Sequence, residues 1–230
     1  MANSPYSVAK AITRYKLYQM VEDVPGDFVE CGVYQAEGLI CLSNVVKLLA
    51  PLCIDRVIWG FDTFEGFANV SPQDQSEGER VIKDGMLDVA DVGGFDAIVA
   101  LVDANTKLAA GLPKTQLIKG DLAECLPSFL KDHPKVKPAL LIADVDIYAP
   151  TLEILINLVP LMPIGGVVAL DDYASRVYQG CGRAFDFYFE NTVRLRKFVH
   201  DPWMTYFEIT PEVSRFAQKR SLELNRETRQ

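Results

Sequence analysis

The chain has 230 residues, 49% of them hydrophobic and 23% charged, a globular composition that excludes disorder, collagen and coiled coil as the main architecture. Its 23 Lys and Arg stand against 31 Asp and Glu, a formal charge of −8, which excludes a general nucleic-acid binder, because duplex affinity rests on basic residues neutralising phosphates. No apolar run approaches the ~20 residues of a membrane span, and the N-terminal stretch lacks a signal-peptide apolar core, so a cytoplasmic protein without nucleic-acid or membrane partners is expected.

Residues 5–22 read as an amphipathic helix that stops before Pro25-Gly26. Asp27–Cys31 is a short apolar strand, and 38–50 has helical periodicity through Leu39, Leu42, Val46 and Leu49. Arg56–Phe61 is a second strand, followed by a Gly-, Ser-, Asp- and Pro-rich loop over 62–80. Helix 94–110, strand Thr115–Lys119, helix 122–131 and strand Ala139–Ala143 come next. Pro150 suits the first turn of a helix over 150–161. Gly166–Leu170 is a fifth strand, 181–193 a helix, and Leu195–Val199 with Thr205–Ile209 a closing strand pair before a basic helical tail.

Strands alternating with helices, with continuous apolar runs in the strands, predict a mostly parallel sheet covered on both faces. The chain reads as one domain over 1–230, with an N-terminal helix in 1–24, a candidate lid or variable surface loop over 63–95 and a helical tail over 211–230. Cys31, Cys41, Cys53, Cys125 and Cys181 form no CxxC pair and are odd in number, which predicts buried free thiols in a reducing compartment. With His133 and His200 the only histidines, zinc sites built on HExxH are excluded and a Ser-His-Asp triad is strained. Any chemistry falls to carboxylates.

Open α/β sheets bind ligands beyond the carboxyl ends of their strands. There the sequence is acidic: Glu30 at the end of the first strand, Asp62 after the second, Asp121 after the third, Asp144 and Asp146 after the fourth, Asp171 and Asp172 after the fifth. Asp144, Asp146, Asp171 and Asp172 would repel one another without a cation, and hard divalent cations take oxygen ligands. Capping competes with that reading, most directly for Asp146 ahead of Pro150. Glu30, Gly32 and Asp62 suggest a nucleotide-like ligand, since glycine admits close backbone approach and an acid after the second strand can bind ribose. GxGxxG and the Walker A lysine loop are both missing, and Gly180-Cys-Gly182 follows the wrong strand to be a dinucleotide loop.

Trp59 and Phe61 read as core, while Phe64 and Phe67, in a loop, could reach a ligand. Tyr148 and Tyr173 flank the carboxylates, either as substrate contacts or as packing. His200 shows no evident partner, and the basic tail reads as a solvated helix face.

Pro25-Gly-Asp-Phe-Val-Glu-Cys-Gly-Val-Tyr34, Gly60-Phe-Asp-Thr-Phe-Glu-Gly-Phe67, Lys119-Gly-Asp121, Asp144-Val-Asp-Ile-Tyr148 and Gly165-Gly-Val-Val-Ala-Leu-Asp-Asp-Tyr173 together resemble the macrocin O-methyltransferase family over roughly residues 10–200. The resemblance implies a Rossmann-like class I methyltransferase fold with a mostly parallel seven-stranded sheet. It implies methylation of a hydroxyl, on a natural-product sugar or similar small molecule, with S-adenosyl-L-methionine and Mg2+ as cofactors. By resemblance, Asp146 matches the general base, and Asp144, Asp171 and Asp172 the metal ligands. Glu30, Gly32, Val33 and Tyr34 match the loop around the cofactor's methionine part. Asp62, with Phe64 beside it, matches the ribose contact, and Asp121 with Leu122 the adenine side; Asp144 is shared between cofactor and metal. A homo-oligomer is implied, with the N-terminal helix a candidate contact.

The sequence departs from the family at Gln35-Ala-Glu-Gly38, where an Arg-Gly-Gly-Ser-like run is usual. Alanine restricts the turn, and Glu37 places negative charge near the expected cofactor carboxylate. Two other readings stand beside the methyltransferase: a metal-dependent glycosyltransferase using the DxD of Asp144-Val-Asp146, and a non-catalytic protein keeping the fold.

Overall fold

The computed structural model describes residues 4–53, 55–76, 80–107 and 115–227. The chain runs α1 (Pro5–Val21), β1 (Asp27–Cys31), α2 (Glu37–Leu49), β2 (Ile58–Asp62), α3 (Gly94–Thr106), β3 (Thr115–Lys119), α4 (Leu122–Asp132), β4 (Pro138–Ala143), α5 (Tyr148–Asn157), β5 (Val167–Leu170), α6 (Gly180–Phe189), β6 (Arg196–Lys197), β7 (Thr205–Glu208) and α7 (Pro211–Glu227). The seven strands form one sheet in the order β3-β2-β1-β4-β5-β7-β6. β1 to β5 are parallel, and β7 runs antiparallel to both β5 and β6.

The pleat sorts side chains between two cores. Val29, Cys31, Leu141, Ala143, Val168 and Leu170 face α4 to α7, while Phe28, Ile58, Leu140, Ile142 and Ala169 face α1 to α3. Trp59 and Phe61 pack on Phe129 in the first core, as expected. Sheet order reverses between β1 and β4, which opens a crevice beyond their carboxyl ends. There Gly32 has φ +89 and its Cα lies against the Asp144 carbonyl, with no room for a Cβ.

Several boundaries differ from the sequence reading. The helix expected over 150–161 starts at Tyr148 and ends at Asn157, and Val159–Leu161 is a separate 3-10 turn, because Pro160 cannot donate a helical hydrogen bond. The helix expected to reach 193 ends at Phe189, where Glu190 and Asn191 turn left-handed. The strand expected over 195–199 shortens to Arg196–Lys197. The expected ends of α3 (108–110), the tail (228–230) and part of the loop (77–79) lie outside the described residues. All five thiols are free; Cys31 and Cys181 are buried, whereas Cys41, Cys53 and Cys125 are half-buried. Among the described residues no helix is long and apolar enough to cross a membrane.

Gly32→Ala is expected to cost about 3 kcal/mol or more, since a side chain there meets both the left-handed backbone and the β4 carbonyl. Urea unfolding measures it, and a loss within experimental error would show that the β1–β4 crevice can spread.

Candidate active site

A cavity of about 520 Å3 opens at the carboxyl ends of the parallel strands, within the ~300–1,000 Å3 of small-molecule sites. Glu30, Gly32, Val33, Tyr34, Asp62, Asp121, Leu122, Asp144, Asp146, Asp171 and Asp172 all lie on its wall. Phe64 does not: it is buried, packing on Phe95 with ring centroids 4.8 Å apart, so the expected ligand contact is a core residue. The left-handed φ of +55 at Phe64 turns the chain inward straight after β2.

Glu30 points from β1 toward α1, where its Oε1 accepts from Arg14 Nη2 at 2.8 Å. Both side chains are buried, 3% exposed each. Among the described residues, Arg14 Nε and Nη1 and Glu30 Oε2 have no hydrogen-bond partner. Burial works against the Arg14 charge, but Glu30, Asp144 and Asp171 outweigh it and hold the guanidinium pKa above its usual value. Leaving such groups unpaired costs about 1–3 kcal/mol each.

Asp62 braces the loop after β1. Its Oδ2 accepts from the Val33 and Tyr34 N–H groups at 2.7 and 2.8 Å, and its Oδ1 from the Phe64 N–H at 2.7 Å. Tyr34 and Ala36 have φ of +48 and +65, so the loop takes the left-handed turn that glycine would make easily, with an alanine. Asp121 caps α4 by accepting from the Ala123 N–H at 2.8 Å, and its second oxygen accepts from Asn69 Nδ2 at 3.0 Å.

Asp144, Asp146, Asp171 and Asp172 meet on one wall, as the sequence suggested. Burial first, and then neighbouring carboxylates, push the carboxyls of Asp144, Asp146 and Asp172 above the ordinary range, with a hydrogen bond linking Asp146 to Asp172. Lys10 of α1 enters this cluster, with Nζ 2.6 Å from Asp171 Oδ2, and the carboxylates hold its ammonium charged despite burial. The other Asp171 oxygen is buried without a partner among the described residues. These hard oxygens fit a divalent cation in donor chemistry. Among the described residues, however, no three His, Cys, Asp or Glu side chains are gathered in a metal-holding geometry.

Asp146 does not cap α5. That helix begins at an N-cap, Ile147, that supplies no side-chain bond. Its Tyr148 N–H goes instead to Asp74 Oδ1 at 2.5 Å, from a 3-10 turn in the loop expected as lid or surface. Asp74 is buried, and its other oxygen holds the Ser71 N–H and hydroxyl at 2.7 Å each. Arg183 of α6 donates to the Gln73 and Gln75 carbonyls. The loop is therefore bolted to α5 and α6. Asp74 lies outside the residues expected at the site, although Ser71-Pro72-Gln-Asp74 carries a capping-box pattern. Gly180 is required where α6 crosses Asp74 and Tyr148.

Of the loop aromatics expected to reach a ligand, Phe67 lies on the cavity wall, edge to face with Tyr178, which the sequence reading did not single out. Tyr148 and Tyr173 pack away from it; Tyr173 donates to Asp186, and burial with that bond raises its pKa to about 12. His200, expected without a partner, sits 3.2 Å from Thr13 Oγ1 of α1.

Residues 15–207 match the sequence pattern of the family described as macrocin-O-methyltransferase (TylF). The chain belongs to that family. Demethyldecarbamoylnovobiocin O-methyltransferase of Streptomyces niveus is 29% identical over 170 residues, 67% of this chain and 57% of that protein. Mycinamicin III 3''-O-methyltransferase of Micromonospora griseorubida is 26% identical over 156 residues, 66% of this chain and 57% of that protein. The aligned part is thus little more than half the length of these curated relatives. Among solved structures, calicheamicin methyltransferase CalS11 superposes with a TM-score of 0.76 at 26% identity, covering 87% of this chain and 79% of that one. The fold is the Rossmann-like methyltransferase fold.

Two stability measurements follow from the site. Asp74→Ala, which leaves the α5 N-terminus unpaired, is expected to cost about 1–3 kcal/mol in urea unfolding; no change would mean that Asp74 does not hold α5. A folded carboxyl with a raised pKa binds its proton more tightly than the unfolded one, so its contribution falls as pH rises through the raised value. Asp146→Asn in the metal-free protein is therefore expected to raise Tm by about 3 °C at about pH 8 and to change it little at about pH 3.5, below the unfolded carboxyl pKa of about 3.9. A lower Tm for the variant at the higher pH would contradict the repulsion.

Proposed function

We propose that the protein is an S-adenosylmethionine-dependent O-methyltransferase acting on a hydroxyl of a glycosylated natural product or similar small molecule. The observation carrying this reading is the position of Asp146: beside Asp144 and Asp172, on the wall of the cavity at the sheet's reversal point. Family membership supports it, as do the natural-product O-methyltransferases among the relatives.

S-adenosylmethionine, when bound, supplies a methyl group on a sulfonium sulfur. Glu30, Gly32, Val33 and Tyr34 would face its methionine part, Asp62 its ribose, and Asp121 and Leu122 its adenine. The Asp146 carboxylate would accept the proton of the acceptor's hydroxyl as that oxygen takes the methyl group, the bonding pair of the donor leaving with its sulfur. A raised carboxyl pKa suits this role, because a base close to the working pH holds a proton firmly and is still ionised often enough to take it. The bolted 71–75 segment and α5 keep Asp146 in position, and position is much of the catalysis in an in-line transfer.

Asp144, Asp171 and Asp172 would hold Mg2+, which supplies Lewis acidity toward acceptor oxygens when bound. Five free thiols suit a reducing, cytoplasmic setting. The outer face of α1, with Val8, Ile12 and Tyr15 exposed, suits a homo-oligomer contact.

Calorimetric titration with S-adenosylhomocysteine, with and without Mg2+, tests the reading: micromolar binding is expected. Asp146→Asn should keep that binding and lose turnover of a sugar-bearing acceptor by about 10²–10⁴-fold. Normal turnover in that variant would remove Asp146 as base. A folded protein that binds no adenosyl ligand would sink the whole reading, leaving nucleotide-sugar chemistry or a non-catalytic role.

A further inference from the structure

The buried pair of Arg14 and Glu30 is built with more hydrogen-bonding capacity than it uses. One bond joins them, from Nη2 to Oε1. Two guanidinium donors, Nε and Nη1, and one carboxylate acceptor, Oε2, remain without partners among the described residues. Both residues belong to the cavity wall, next to Gly32 and Gly38. A Cβ on Gly38 would sit 2.5 Å from Arg14 Nη2 and 2.6 Å from Glu30 Oε1, so the first turn of α2 rests directly on the pair. That helix starts at Ala36 without a side-chain cap, which leaves its positive end free for an anion.

The unused groups are complementary to one kind of ligand end. Spare guanidinium donors and an uncapped helix N-terminus call for a carboxylate, which a planar fork binds bidentately. A spare buried carboxylate oxygen beside them calls for an ammonium. An α-amino acid carries both on adjacent atoms. A neutral or singly charged ligand end would satisfy one half and leave the other buried and unpaired.

We propose that Arg14 is a cofactor-binding residue: together with Glu30 it forms a receptor for the zwitterionic amino-acid end of the cofactor, with Arg14 taking the carboxylate. This rests on the methyltransferase reading above and adds to it a residue from α1, outside every strand-end motif. It also accounts for Gln35-Ala-Glu-Gly38. A loop with Gln35 in place of a basic residue and with Glu37 close by has its positive charge delivered from another helix.

The test compares two ligands that share an adenosine thioether and differ in the amino-acid end: S-adenosylhomocysteine, which has it, and 5′-methylthioadenosine, which lacks it. Calorimetry is run on the wild type, Arg14→Met and Arg14→Lys, with each variant's Tm recorded. The wild type is expected to prefer S-adenosylhomocysteine by about 100-fold or more, as a site with buried polar groups rejects a ligand that leaves them unpaired. Arg14→Met should lose most of that preference by weakening S-adenosylhomocysteine about 30-fold or more while leaving 5′-methylthioadenosine within about threefold. If Arg14→Met does not fold, Arg14→Lys carries the test: it keeps the charge beside Glu30 but not the fork, and should weaken only S-adenosylhomocysteine, by about tenfold. Equal weakening of both ligands, or no change in either, would make Arg14 a purely structural partner of Glu30 and overturn the proposal. A folded wild type that binds neither ligand would overturn the methyltransferase reading and the proposal with it.

Discussion

The structure depends on compensating an excess of buried negative charge. Glu30, Asp144, Asp146, Asp171 and Asp172 converge because parallel strands deliver their carboxyl ends to one edge. Burial raises the pKa values of Asp144, Asp146 and Asp172 most, and repulsion among the neighbouring carboxylates raises them further. Two cations relieve it, and both come from α1: Arg14 on Glu30, and Lys10 on Asp171. The N-terminal helix is therefore part of the site. Its inner face is committed to charge and to the core through Leu17, Tyr18 and Val21, while its outer face stays exposed.

Most of the fold was legible because strand signals and reversal geometry are local. Five continuous apolar runs, each ending in an acid or glycine, predict a parallel sheet with its ligand edge marked. The errors fall where a tertiary contact or a single backbone angle decides. Pro160 cuts α5 short of its apolar periodicity. Left-handed Glu190 and Asn191 end α6 while the sequence still reads as helix. The two-residue β6 lies at the exposed sheet edge, where little packing is available to extend it.

The candidate site was legible for the residues that leave the strands and obscure for those that reach it from elsewhere. Glu30, Asp62, Asp121, Asp144, Asp146, Asp171 and Asp172 follow strands, so topology alone gathers them. Lys10, Arg14 and Asp74 lie on a helix and in a loop whose docking no local pattern specifies. Lys10 reads as an ordinary solvated lysine until its helix is placed against β5. Phe64 failed in the opposite direction: a loop aromatic next to an acid looks like a ligand contact, but its left-handed backbone sends the ring to Phe95.

Strain is distributed in a way that bears on chemistry. Tyr34, Ala36, Asp146 and Asp172 are non-glycine residues with positive φ, and all but the buried Ala36 lie on the cavity wall. Such conformations persist only where the surroundings over-determine them. Here Asp62 pins the 33–34 backbone from β2, and Asp74 pins the start of α5 just beyond Asp146. Each strained turn is thus held by a carboxylate from a different segment, and both holding carboxylates are already engaged by backbone N–H groups. Division of labour among the acids follows from this. Asp62 and Asp74 spend most of their hydrogen-bonding capacity on fixing backbone, while Asp62 still lines the cavity. In the Asp144, Asp146 and Asp172 group, Asp146 and Asp172 share one hydrogen bond and Asp172 takes another from Ser175, and the remaining capacity faces whatever enters the cavity.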